Sequence, residues 1–183
     1  METGSHNERL EEIKDLFQDE FGGLTSNQLN WKPGPNTWSI AQNVDHLIVI
    51  NTTYFPTFEK LLVGTYQPPI LGKVRFLVEW MGSAILKSVD PARQKKTKTF
   101  PIWEPKIGDI EGDIIHRFIR HQEELKEWIG KLAPILEADT VISSPANTKI
   151  SYKLSTALDI ILAHEKRHFN QAEEVLRLLL KRE

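Results

Sequence analysis

STALDIILAHEKRHFNQAEEVLRLLLK, residues 155–181, is the stretch from which the fold is read. At about 100° per residue, Leu154, Leu158, Ile161, Ala172, Leu176 and Leu179 fall on one stripe, as in a helix that buries one face. A helix of this kind needs partners, and the rest of the chain supplies them. Arg9–Phe21 carries Leu10, Ile13, Leu16 and Phe17 at helical spacing and is stopped by Gly22-Gly23. Ser39, followed by Gln42, predicts a capping box that opens a second helix. Its stripe is Ile40, Val44, Leu47, Asn51, Tyr54, Phe55, Phe58 and Leu62, with Pro56 expected to kink or interrupt it. A long helix over about Glu111–Leu132 offers Ile114, Ile115, Phe118, Ile119, Leu125, Trp128 and Ile129 to a core.

The intervening segments read differently. Thr25–Asn36, with Pro33, Gly34 and Pro35, is expected to be a loop. Ile70–Leu86 suggests a shorter, very apolar helix, and Asp90–Ile110 an irregular stretch anchored by Phe100 and Trp103. Pro134–Lys153, with Ser143-Ser144-Pro145, reads as a connector. No run alternates long enough for a half-buried strand, and no repeat is visible. The expectation is an all-α, four-helix bundle. A long crossover from Gly64 to Asp109, containing the extra short helix, joins the second and third bundle helices and leaves them free to run parallel.

At 183 residues the chain suits one domain, 1–183, large enough to bury a core without staples. A formal net charge of −2 argues against binding nucleic acid through bulk charge. The basic residues Arg93, Lys95, Lys96 and Lys98 are read as a solvated loop. The absence of Cys excludes disulfides, thiolate ligands and a cysteine nucleophile. Met1–Arg9 lacks the apolar run of a secretory signal, and Met1–His6 is expected to fray. Lys73, Arg75 and Glu79 interrupt the most apolar stretch, so no membrane span is expected. A cytoplasmic protein acting on a small molecule fits these features. The Ile70–Leu86 segment leaves two readings open, a homodimer contact or a cover on the bundle.

Six histidines are present. His6 lies in the tail. His116 and His121, five apart, fall on different helical faces and are expected at the surface. His164 and His168 stand at i, i+4, one turn apart on one face, where both rings can grip one ion. They lie at the margin of the apolar stripe, and two readings stand side by side: hydrogen-bonded core histidines, or metal ligands. His46 sits on the flank of the second helix, beside Asn43 and Ile50. Glu165 falls near the middle of the buried stripe, where an unpaired carboxylate costs several kcal/mol. It is expected to accept a hydrogen bond from a ligating imidazole, to work on a bound water as a catalytic group, or to pair with an Arg or Lys of a neighbouring helix.

His164-Glu165-Lys166-Arg167-His168 also matches the H-E-x-x-H pattern of zinc peptidases. The context fails: position 171 is Gln, so the extended form with its third His is absent. Too little chain follows for a downstream Glu ligand on a separate helix, and the accompanying sheet has no strand signal.

Two segments together carry a resemblance. The first is Leu29-Asn30-Trp31-Lys32-Pro33, continuing to Thr37-Trp38-Ser39-Ile40-Ala41-Gln42-Asn43-Val44-Asp45-His46-Leu47. The second is His164-Glu165-Lys166-Arg167-His168-Phe169-Asn170-Gln171-Ala172. They resemble the DinB-like (DinB/YfiT-like) superfamily, with its Trp-Ser-Ile helix start, His-Leu pair and later H-x-x-x-H followed by Gln. The resemblance implies a four-helix bundle with parallel middle helices and a divalent metal on His46, His164 and His168. Members include thiol S-transferases that use low-molecular-weight thiols, a thiol-dependent isomerase and proteins described as metal-dependent hydrolases. The implied function is activation of a small thiol or of water at a three-histidine site with an open coordination position. The rival is a non-enzymatic metal-binding or stress-related bundle, or a scaffold. Imidazoles suit zinc, nickel and iron alike, and a thiol would have to come as a cosubstrate.

Overall fold

A computed structural model describes residues 2–92, 101–105 and 108–182. Four long helical segments carry the architecture: α1 (Glu2–Phe21), α3 (Ile40–Thr52) continued by α4 (Phe55–Leu62), α6 (Ile114–Leu136) and α7 (Leu154–Leu180). Shorter helices α2 (Ser26–Asn30) and α5 (Arg75–Ser88), two 3-10 turns at Ile70–Lys73 and Pro101–Trp103, and a hairpin of β1 (Val141–Ser144) and β2 (Asn147–Lys153) complete it.

Side-chain pairs give the directions. Lys14–Glu123 at 2.6 Å and Phe17–Phe118 at 4.4 Å run in opposite order along α1 and α6, which are antiparallel. Arg9–Asp159 at 2.8 Å and Phe17–Phe169 at 5.3 Å advance together, so α1 and α7 are parallel. Asp45–Arg117, Phe55–His121 and Phe58–Trp128 also advance together, which makes α3–α4 parallel to α6. The two middle helices therefore run the same way, and the chain from Gly64 to Asp109, containing α5, makes the return that this requires. The core joins all four: Phe17, Phe21, Val44, Leu47, Phe58, Phe118, Leu125, Leu158 and Ala172 are all buried.

Local signals set several boundaries. Ser39 caps α3 as expected, its Oγ accepting from Gln42 N at 3.1 Å while Gln42 Oε1 accepts from Ser39 N at 3.2 Å. Pro56 falls in the first turn of α4, where its missing N–H is harmless; the interruption is the turn at Thr53–Tyr54.

Other expectations are corrected. The loop over 25–36 contains α2, opened by a second capping box of Thr25 and Gln28. α1 begins at Glu2, and His6 is buried against Asp159 at 3.4 Å instead of fraying. α6 runs through Pro134, which costs only one ladder bond so near its end. The connector holds a real hairpin, with Ile142 opposite Tyr152 and both buried. β1 has only four residues, and the seven of β2 bury the neighbours Ser151 and Tyr152 instead of alternating, so period two does not show in the sequence. Leu62, assigned to the buried stripe, is exposed at the end of α4. Arg93, Lys95, Lys96, Lys98 and Phe100 lie outside the described residues.

Candidate metal centre

The three histidines come from two helices. The cap at Ser39 fixes the start of α3, and His46 follows two turns later on the side facing α7. On α7, His164 and His168 are one turn apart. One ring nitrogen of each of the three can be chosen so that all lie within 4.8 Å of one another.

The hydrogen bonds select the tautomers. Asn43 Nδ2 donates to the Ser39 carbonyl at 2.9 Å, which leaves its Oδ1 as the acceptor turned toward His168. That oxygen lies 2.7 Å from His168 Nδ1, so Nδ1 carries the proton and Nε2 keeps its lone pair. His46 Nδ1 likewise donates to the Trp103 carbonyl at 2.5 Å, freeing its Nε2. His168 Nε2 and His164 Nε2 are then 3.1 Å apart. Two facing lone pairs repel unless a proton or cation lies between them. Two nitrogens bound to one ion at about 2.0–2.1 Å each are separated by roughly this distance, so the donor set fits a transition metal.

Burial reinforces this. His46 and His168 are buried and His164 is half-buried. Desolvation lowers His46 to about 4, against smaller opposing effects of the Trp103 carbonyl and Asp45. Desolvation, then the neighbouring His46 and Arg167, lowers His164 to about 3. His168 is held well below its ordinary value, by burial first and by His164, His46 and Arg167 after it. All three are neutral imidazoles at neutral pH, the form that ligates. Trp38 walls the cluster, 4.7 Å from the His46 ring and stacked at 5.8 Å and 19° on His168. The Arg167 guanidinium, donating to the Asp90 carbonyl at 3.0 Å, adds a positive charge nearby.

Glu165 goes elsewhere. A residue next to His164 on a helix is turned by about 100°, and its carboxyl enters the space between α3 and α6. Its Oε1 accepts from Asn51 Nδ2 at 2.7 Å and Gln122 Nε2 at 2.8 Å. Burial raises it to about 7, against the lowering effect of Gln122 and Asn51. Two of the expected partners, an imidazole and a neighbouring cation, are thus replaced by two amides. Oε2 has no hydrogen-bond partner among the described residues.

The remaining histidines stay apart from the trio. His116 is exposed. His121, expected at the surface, is buried, stacked at 5.5 Å on Phe55 and lowered to about 4 by desolvation. Sequence reasoning gave no role to Asn43 or Gln122, although each sets an amide among apolar positions. Asn51 stood in the buried stripe itself as its one amide. The Trp103 carbonyl left no trace in the sequence, because any residue type supplies a carbonyl.

A family model described as the DinB superfamily matches residues 9–172, and the chain belongs to that family. No curated protein and no solved structure matches it.

Proposed function

We propose that this member of the DinB superfamily is a metal-dependent enzyme, with one divalent zinc, nickel or iron ion held by His46, His164 and His168. The observation that carries the reading is the convergence of three neutral imidazoles, two of them with Nδ1 already committed to Asn43 and Trp103. Three protein ligands leave a position open, as catalytic sites do and closed structural sites do not. When bound, such an ion lowers the pKa of a coordinated water or thiol so that the anion forms near neutral pH.

The chain's own residues supply the rest. Asn43 and the Trp103 carbonyl orient two rings and raise their basicity. Trp38 limits water on one side of the cluster. The Arg167 charge favours an anion at the open position, whether a thiolate or a hydroxide. A catalytic role for Glu165, whose carboxyl burial raises to about 7, would require it to leave Asn51 and Gln122 and turn toward the ion's open position. The favoured reaction is attack of the thiolate of a low-molecular-weight thiol on a small electrophile, which forms a carbon–sulfur bond as the electrophile's leaving group departs and the thiol proton passes to solvent; hydrolysis is the alternative use of the same site. A cytoplasmic setting, where such thiols are abundant, is part of the proposal. No described helix is long and apolar enough to cross a membrane.

The test is metal content by mass spectrometry for wild type and His164→Ala, followed by turnover of a generic electrophile with several thiols, with and without metal. About one transition metal per chain, lost in the variant, together with metal-dependent turnover supports the enzyme. A His46→Ala protein with undiminished metal affinity sinks it. Metal without any turnover transfers the site to a binding or scaffold protein. Glu165→Gln separates proton exchange from packing, because the amide oxygen can still accept from Asn51 and Gln122.

A further inference from the structure

Leu29-Asn30-Trp31-Lys32-Pro33 stands out in the sequence, yet the metal centre uses none of it. Leu29 is buried in the core, and Trp31 packs against it. Asn30, the last residue of α2, is engaged differently. Its side chain grips one residue 80 positions away: Nδ2 donates to the Ile110 carbonyl and Oδ1 accepts from the Ile110 N–H, each at 2.8 Å. Nδ2 also donates to the Ser26 carbonyl at 3.0 Å, so both amide hydrogens are used. The order of donor and acceptor is fixed, because a flipped amide would set N–H against N–H and oxygen against oxygen. Asn30 thus meets Ile110 as a neighbouring strand would, and satisfies both backbone groups of a buried residue.

Ile110 lies on the stretch of chain that runs from Trp103 into α6, and the Trp103 carbonyl is what holds His46 Nδ1. Trp103 belongs to a 3-10 turn of three residues, too short to fix the direction of its own carbonyl. Among the described residues, the bonds to Asn30 are the only hydrogen bonds that join 104–110 to another element. Apolar contacts help: Pro105 and Ile110 are buried, and a Cβ on Gly112 would come to 3.1 Å from Ser26 Cβ. Such contacts are non-directional and leave peptide planes free to turn, whereas a two-point hydrogen bond does not.

We propose that Asn30 is a positioning residue of the metal centre: by clamping Ile110 it steadies the segment that brings the Trp103 carbonyl to His46. The proposal rests on the reading of His46 as a ligand. The His46 tautomer, with Nδ1 protonated and Nε2 free, then depends on a side chain that is hydrogen-bonded elsewhere. His168 is independent of the clamp, because Asn43 of α3 holds its Nδ1.

The test is heteronuclear NMR of the histidine rings in the metal-free full chain, for wild type, Asn30→Ala and Asn30→Asp. The aspartate keeps an acceptor for the Ile110 N–H but sets an oxygen against the Ile110 carbonyl. Circular dichroism checks that each variant is folded. Wild type should show slowly exchanging, hydrogen-bonded Nδ1 protons on His46 and His168. Both variants should lose that protection at His46 and keep it at His168. Zinc affinity, measured by chelator competition, should fall about 3–10-fold, less than the roughly 10–100-fold expected on losing a direct partner of a ligand. A His46 ring unchanged in both variants overturns the proposal and leaves Asn30 a brace of the α6 entry. Equal loss of protection at His46 and His168 overturns it too, as does the collapse of both variants, since each would make Asn30 a general support of the fold. A wild-type His46 without a protected Nδ1 proton also overturns it. A wild type that binds no zinc sinks the metal reading instead, and leaves the ring measurement to decide the clamp.

Discussion

Two buried polar clusters sit side by side on α7, and consecutive residues build them. Around His164 and His168 the outer nitrogens are committed to protein acceptors and the inner lone pairs face one another. Around Glu165 the arrangement is inverted: two amide donors converge on a single carboxyl oxygen, and the other oxygens are left outside that pair of bonds. Both clusters reach from α7 to α3, and only the half-buried His164 among their members on these two helices is not fully buried. Burial thus serves two chemistries. Donors fixed at the rim with acceptors at the centre make a cation site, whereas donors at the centre make a neutral or singly charged polar knot. In the H-E-x-x-H peptidase pattern the glutamate serves the metal; here the turn of α7 sends it to Asn51 and Gln122.

Substitutions can break or sharpen that contrast, and the largest effect should come from the proposed ligands. His168→Ala should lower metal affinity by far more than the roughly 10–100-fold expected for an outer hydrogen-bond partner, measured by competition with a chelator. Its metal-free fold should survive, since a neutral side chain is removed from the cluster. Next is Glu165→Ala, which strands the Asn51 and Gln122 amides and should cost about 2–4 kcal/mol in urea unfolding, with metal affinity changed little. A large loss of metal in that variant would merge the two clusters into one functional unit. Glu165→Gln should recover most of the lost stability.

Asn43→Ala releases His168 Nδ1 without touching a ligand and should weaken metal binding by about 10–100-fold. No change there would mean that the ring is held by packing against Trp38 alone. The smallest effect concerns His121, a buried histidine belonging to neither cluster. Its value of about 4 is depressed by burial, so between about pH 4 and the ordinary 6.5 the unfolded chain binds a proton that the folded chain does not. Its contribution to stability is complete above about pH 6.5 and is lost as pH falls toward 4. His121→Phe should therefore flatten the acid limb of metal-free unfolding by up to about 1.4 kcal/mol per pH unit, and leave stability at pH 7 nearly unchanged.

How much was legible follows the range of each interaction. Ser39 and Gln42 announce a helix start because a capping box is complete within four residues, and the i, i+4 spacing places His164 and His168 on one face without reference to anything else. The same logic was available at Thr25 and Gln28, where the Pro- and Gly-rich neighbourhood masked it. The hairpin escaped because four residues of β1 are too few to establish a period. His121 was misplaced because its burial comes from Phe55 on another helix, and no pattern within α6 records that.

The sequence alone determined the long helices, the bundle and the place of His164 and His168 on one face of α7, because these depend on side-chain periodicity and contacts within a turn or two. The tertiary structure decided that His46 faces that pair, that the Trp103 carbonyl and Asn43 set the tautomers, and that Glu165 turns to Asn51 and Gln122. Those outcomes rest on hydrogen bonds between groups far apart in the chain, whose geometry exists only once the helices have packed.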